Sequence, residues 1–342
     1  MPRPVAVEIH SECSRFSHRA VGTSSFREIM LNKINNSQVN DILWWTTAFC
    51  LIGFVYLRGA TDWERFYLPA TLDNYATAPL VANPSYILFL FIPLSFLPNQ
   101  IAGAILALLN VVCLYVSSRI TNANKWLLLL NLPSLIVITF GQIDGLVTVG
   151  AVIGSVAIQT NNGFLFGGAL LLLGLKPQVG GILAIIYLTW MIAKKQYLET
   201  MQAIGTSLGV ILFSFLFFGF WLPDWLAKVI ATVISNGREF VEVSSDIGLY
   251  PYGLIFLMIA LLFARREIPT LVASSLLSVP YAGYYSIITA LAFPLPWFIY
   301  CVTWLPAVMP TQFGMLVAPV GIIIVGIYQS YTKRQQLQSK TA

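Results

Sequence analysis

The chain has 342 residues, 57% of them hydrophobic and 10% charged, with a formal net charge of +5 and a mean hydropathy of +0.77. A soluble domain of this length needs more charge to cover its surface, so the composition predicts an all-α, polytopic membrane protein. The basic residues are spread over loops rather than clustered, which excludes a nucleic-acid footprint and makes membrane lipids the first expected partner.

Residues 1–39 are polar and lack the basic, apolar and small-residue pattern of a cleaved signal peptide. Ser25 and Glu28 have capping-box spacing, and Phe26, Ile29, Met30 and Ile34 share one helical face. This predicts a short helix lying on the cytoplasmic membrane surface, ahead of a transmembrane domain over 40–332 and a cytoplasmic tail over 333–342.

A first span is expected over 42–56, followed by a charged and aromatic loop over 58–83. Two apolar runs, 84–97 and 101–118, come next. The tail carries five Lys/Arg, and the loops holding Arg119/Lys125, Lys194/Lys195 and Arg265/Arg266 are also basic. These basic segments share the cytoplasmic side only if two crossings separate the tail from Arg119. The 14-residue run 84–97, interrupted by Pro93, is shorter than the roughly 17 residues a span needs. It is therefore expected to be a juxtamembrane or re-entrant helix on the outer side.

Parity then assigns alternating crossings to 126–140, 145–160, 163–175, 182–193, 201–222 and 253–264, with a last span over 315–332. Prolines 280, 294 and 296 break the region between, so about ten to twelve spans are expected in all. On this topology the stretches 58–83, 141–144 and 176–181 and the turn 281–285 face outward.

Asp144 and Lys176 stand at the edges of apolar runs. An ionisable group at the centre of a span costs roughly 2.5–3.5 kcal/mol, so each is either functional or a snorkelling interfacial charge. Helices starting near Gly145 and Ile182 would point their N-termini outward, where free N–H groups suit an anion such as phosphate. Lys176 adds a full charge beside the second, although glycine and proline also punctuate helices without any ligand. Asp62 lies in the outer loop with Arg58 and Arg65 nearby, and Trp63, Phe66 and Tyr67 alternate with these charges. A carboxylate beside an anion site suggests a general base next to a phosphate leaving group, the plainer alternative being an ordinary charged loop. Cys13, Cys50, Cys113 and Cys301 are widely separated and His10 and His18 sit in the tail, so no metal spacing or disulfide framework is present.

The segments TDWERFYLPA, NPSYILFLFIPLSFLP, the LLN that follows in the next helix, GQID, and GFLFGGALLLLGLKPQ resemble the polyprenol-phosphate-mannose-dependent mannosyltransferases of the membrane-embedded glycosyltransferase C superfamily, of the glycosyltransferase family 87 kind. Weaker similarity continues through FWLPDWLAKVI and SVPYAGYY, so the resemblance covers about Arg58 to Tyr285. It implies an inverting enzyme of the plasma (inner) membrane. A polyprenyl-phosphate sugar, with mannose as the expected sugar, would be the donor, and a lipid or glycan the acceptor, on the extracytoplasmic side.

Asp62 matches the family's single essential carboxylate. Gln142 and Asp144 match its second polar or acidic position, and Lys176 matches the lysine of the LKP piece. Lys176, Arg58, Arg65 and Gln142 would then meet the donor phosphate, and Tyr67, Tyr86, Tyr281 and Tyr285 would line the grooves. No cofactor is implied, and because the Asp-x-Asp variant is absent a divalent metal is left in doubt. Two other classes share such broken, charged helices: a secondary transporter or lipid flippase, and a non-catalytic membrane subunit. No internal repeat supports the transporter.

Overall fold

The computed structural model describes residues 23–72, 83–234, 246–309 and 312–341. Residues 73–82, in the predicted outer loop 58–83, and residues 235–245 lie outside the described residues, as does the N-terminal tail before Thr23. The chain divides into two units, Met1–Thr47 and Ala48–Ala342. The described part of the first is helix throughout, the beginning of α1 (Thr23–Arg58), and Trp44 and Trp45 meet edge to face within it, ring centres 5.0 Å apart.

The second unit is also helical. After α1 come a π turn (Trp63–Tyr67), α2 (Leu68–Leu72), a 3-10 turn (Ser85–Ile87) and α3 (Leu88–Ser95). Then follow α4 (Asn99–Thr121), α5 (Lys125–Leu129), α6 (Leu132–Phe140), α7 (Asp144–Thr160), α8 (Gly163–Gly174), α9 (Pro177–Ala193) and α10 (Tyr197–Phe218). The remainder comprises α11 (Leu222–Ile234), α12 (Gly253–Phe263), α13 (Ile268–Leu277), α14 (Ile288–Leu291), α15 (Trp297–Val302), α16 (Leu305–Val308) and α17 (Gln312–Thr341).

Among the described residues four helices are long and apolar enough to cross a membrane: Gln38–Arg58, Asn99–Thr121, Tyr197–Phe218 and Gln312–Ser339. Seven more are apolar but shorter, including Ser85–Ser95, Asp144–Thr160 and Pro177–Ala193. The protein is thus an all-α polytopic membrane protein in which long spans accompany short, packed helices.

Several boundaries differ from the sequence expectation for local reasons. The surface helix and first span predicted separately form one helix from Thr23. The predicted crossing over 126–140 is broken into α5 and α6, because the Asn131 side chain accepts from Ser134 N at 2.9 Å and Pro133 opens the new helix. The crossing expected from 182 begins at Pro177, whose missing N–H costs nothing in a first turn. The final helix continues past 333, where a tail was expected, to Thr341.

The central element is α7, which packs against α4, α8, α9 and α14. A Cβ at Gly154 would lie 2.6 Å from a ring carbon of Tyr187 on α9, so only glycine admits that aromatic ring. The Tyr187 hydroxyl donates to the Ala151 carbonyl at 2.9 Å. Small residues at a helix contact, with a polar group satisfied across it, are how helices associate when lipid supplies no hydrophobic drive. Because α7 and α9 are joined through α8, this contact sets their first turns side by side.

These helices give the topology an observable consequence. In a background without native cysteines, Leu72→Cys and Asn161→Cys should react oppositely with a membrane-impermeant thiol reagent. Leu72 is exposed just after the π turn, and Asn161 caps the far end of α7. Intact cells should label the first, and only permeabilised cells the second; labelling of both from one side would overturn the placement.

Candidate active site

Lys176 is the N-cap residue of α9, in the short link after α8, and Asp144 stands in the first turn of α7. An acidic residue there also complements the helix dipole. The ammonium nitrogen of Lys176 lies 2.6 Å from Asp144 Oδ2 and 2.6 Å from Gln142 Oε1. Its remaining side faces the Tyr285 ring, 4.8 Å from the ring centre. The other Asp144 oxygen accepts from Ser286 Oγ at 2.6 Å. Asp144 is 0% and Lys176 5% exposed. A buried charge of either sign is tolerated only when paired and hydrogen-bonded, as both are here.

Gln142 connects this pair to the first outer loop. Its Oε1 also accepts from the Tyr67 hydroxyl at 3.1 Å, and its Nε2 donates to Asp62 Oδ2. Tyr285 hydrogen-bonds Gln142 and Tyr281, and burial pushes both phenols up, so they remain protonated at neutral pH. An amide suits this position because it can present an acceptor to an ammonium and a donor to a carboxylate.

The backbone places Gln142 through two devices. Gly141 takes a left-handed conformation (φ +72°) that ends α6, and a Cβ there would lie 2.9 Å from that of Ala60. That close approach seats the segment carrying Asp62 against the turn. Asn110, buried in α4, donates to the Gln142 carbonyl at 2.6 Å and accepts from Gly145 N at 3.0 Å. It therefore fixes the 142–145 turn from both sides.

The π turn at Trp63–Tyr67 has a specific effect. In a helix with i→i+5 closure, residues five apart lie on one side, so Asp62 and Tyr67 reach the same glutamine. Pro69, which lacks an N–H and would crowd the carbonyl four residues earlier in a regular helix, gives a local reason for the widening.

The two carboxylates differ in their freedom. Asp144 has a bond to each oxygen and no exposure. Asp62 is half-buried and among the described residues is held by Gln142 alone. Burial pushes its carboxyl up to about 6; Lys176 and Arg65 oppose the rise and Asp144 adds to it. Two acids held in environments that separate their properties can divide the roles of base and fixed counter-charge.

Of the residues singled out from the sequence, Asp62, Tyr67, Gln142, Asp144, Lys176, Tyr281 and Tyr285 converge. Arg65 is exposed with its charge acting on Asp62, and Arg58 is exposed with its guanidinium over the Phe54 ring at 5.9 Å. Tyr86 instead donates to the Leu171 carbonyl at 2.8 Å and packs near Trp221. Sequence reasoning quoted Asn110 only within the LLN segment, without a role, and did not single out Ser286. Asn110 carried a signal, a polar residue inside a span; Ser286, among other small residues, carried none. Among the described residues no three His, Cys, Asp or Glu side chains form a metal-type group.

Removing the ammonium should leave Asp144 as an uncompensated buried charge, a loss of about 3–5 kcal/mol. Lys176→Met is therefore expected to lower the thermal unfolding midpoint of the detergent-solubilised protein sharply, and Asp144→Asn/Lys176→Met to restore most of it. A double variant no more stable than Lys176→Met would show that the pair does not support the fold.

Residues 82–248 match the family model of glycosyltransferase family 87. No curated protein and no solved structure is significantly similar to the chain. The matched segment holds Asn110, Gln142, Asp144 and Lys176, while Asp62 precedes it and Tyr285 and Ser286 follow it. The match, over just under half of the chain, makes this stretch similar to glycosyltransferase family 87, a membrane family of glycosyltransferase C type, and supports glycosyltransferase activity for this membrane protein.

Proposed function

We propose that the chain transfers a sugar, mannose, from a polyprenyl-phosphate carrier to a hydroxyl of a lipid or glycan, on the extracytoplasmic face of the plasma membrane. The observation that carries this reading is the position of Asp62. Of the two carboxylates at the cluster it is the one less held by the protein, beside a charged pair fixed by three other segments. With its carboxyl near 6 it is ionised at neutral pH yet more basic than an ordinary aspartate, as suits a general base.

In the proposed step Asp62 takes the proton of the acceptor hydroxyl. The acceptor oxygen bonds to the anomeric carbon from the face opposite the phosphate, the carbon–oxygen bond to phosphate breaks, and polyprenyl phosphate leaves with the electron pair. Inversion follows. Lys176, the N-termini of α7 and α9, Gln142 and the exposed Arg58 and Arg65 would stabilise the departing phosphate. Tyr67, Tyr86, Tyr281 and Tyr285 would border the lipid and acceptor grooves, and no cofactor is invoked. The basic loops, placed inside by their charge, support the outward orientation.

The test is transfer from radiolabelled polyprenyl-phosphate mannose by the purified protein. Asp62→Asn should lower turnover by roughly 10²–10⁴ while donor binding survives, and Glu64→Gln, at an exposed position, should stay near wild type. An active Asp62→Asn enzyme would assign the base elsewhere, and absence of transfer by the wild-type protein would remove the donor assignment.

Ionisation of the same residue predicts a pH profile. The base must be deprotonated, so kcat/KM should rise with pH through about 6 and level off above it. Asp62→Asn should lose that limb; an unchanged limb in the variant would attribute it to another group.

A further inference from the structure

At the ends of α7 and α9 opposite Asp144 and Lys176 lies a second polar feature. Each helix has 17 residues, so this end is about 25 Å from the cluster at 1.5 Å per residue, close to the thickness of a bilayer core. A cavity of about 710 Å³ opens there between the two helix ends and the turn joining α12 to α13. Lys194, Arg265 and Arg266 line it without any carboxylate, together with Gln159, Trp190 and Ile268.

The three cations are not committed elsewhere. Lys194 reaches only the Ile158 carbonyl, at 3.4 Å, and Arg265 and Arg266 make no hydrogen bond or ion pair among the described residues. A neighbouring cavity of about 450 Å³ shares Arg266 but is compensated: there Glu267 holds Lys333 at 2.6 Å. Two adjacent cavities on one face thus differ in that only one has its positive charge answered by the protein. Like charges gathered around a concave space repel one another until an anion enters.

We propose that the cavity at the far ends of α7 and α9 binds the phosphate headgroup of an anionic membrane phospholipid. Phosphate is the anion that arginine pairs and a lysine suit best. The membrane rather than solution is the source, because Trp190 and Ile268 give the cavity an apolar wall, and tryptophan is a residue favoured at membrane–water interfaces. Its volume is that of a small-molecule site. Basic pockets between membrane helices recognise phospholipid headgroups by this chemistry.

The test uses the full-length protein in detergent, with bound lipid counted by native mass spectrometry during titration with phosphatidylglycerol or phosphatidylcholine. Phosphatidylglycerol should bind about tenfold or more tightly than phosphatidylcholine. Lys194→Gln/Arg265→Gln/Arg266→Gln should remove that preference, whereas Lys333→Gln, which alters the compensated cavity, should keep it. Inorganic phosphate at equal concentration should not displace the lipid. Equal binding of the two lipids, a triple variant that keeps the preference, or displacement by inorganic phosphate would each overturn the proposal. Should the triple variant fail to fold, Lys194→Gln alone, at an exposed position, should weaken phosphatidylglycerol severalfold, and unchanged binding would overturn the proposal equally.

Discussion

The buried contact between Lys176 and Asp144 is the constraint that the rest of the site obeys. Neither charge tolerates an apolar environment alone, so the first turns of α7 and α9 must stay together. That requirement is met through the close packing of α7 against Tyr187 at Gly154. Everything else in the site is attached to the pair. Gln142 accepts one hydrogen bond from the ammonium, Ser286 donates to the second Asp144 oxygen, and the Tyr285 ring covers the open side of the ammonium. Asp62 belongs to the same arrangement but is separated from the ammonium by an uncharged amide. Direct contact with Lys176 would have held Asp62 far more acidic, and therefore a weaker base.

Much of this was legible in the chain because membrane sequences make charges conspicuous. Asp144 and Lys176 stand out against apolar runs, and the cost of placing such groups in lipid turns their presence into a question about partners. The all-helical class followed from composition, and the family resemblance placed Gln142 beside Asp144 and singled out Lys176 separately. The sequence could not show that the two charges answer one another. Pattern reasoning assigned Lys176 to an external phosphate, whereas it already has an internal carboxylate. A phosphate at this lysine would therefore meet an ammonium that Asp144 has partly compensated.

Other features were hidden for physical reasons. The π turn is one residue wider than the period on which helical faces are counted, so periodicity gave no sign that Asp62 and Tyr67 share a face. The division of α5 from α6 depends on an asparagine bonding its own neighbouring backbone, which hydropathy does not register. Ser286 acts from a turn about which periodicity says nothing. Arg58, near Asp62 in sequence, turns toward Phe54 instead. Adjacency in a loop is weaker evidence than a charge placed where it must find a partner.

The spacing of the cluster along the chain bears on how the protein enters the membrane. Asp144 and Lys176 are 32 positions apart, but Ser286 follows Asp144 by 142. At about 5–20 residues per second of synthesis, the lysine emerges roughly 2–6 seconds after the aspartate, and the serine roughly 5–20 seconds after the lysine. The α7–α8–α9 segment can therefore leave the insertion machinery with its two charges already neutralised, before the C-terminal third exists. A nascent chain would avoid exposing a lone ion to lipid, and the site would remain incomplete until the turn carrying Tyr285 and Ser286 arrives.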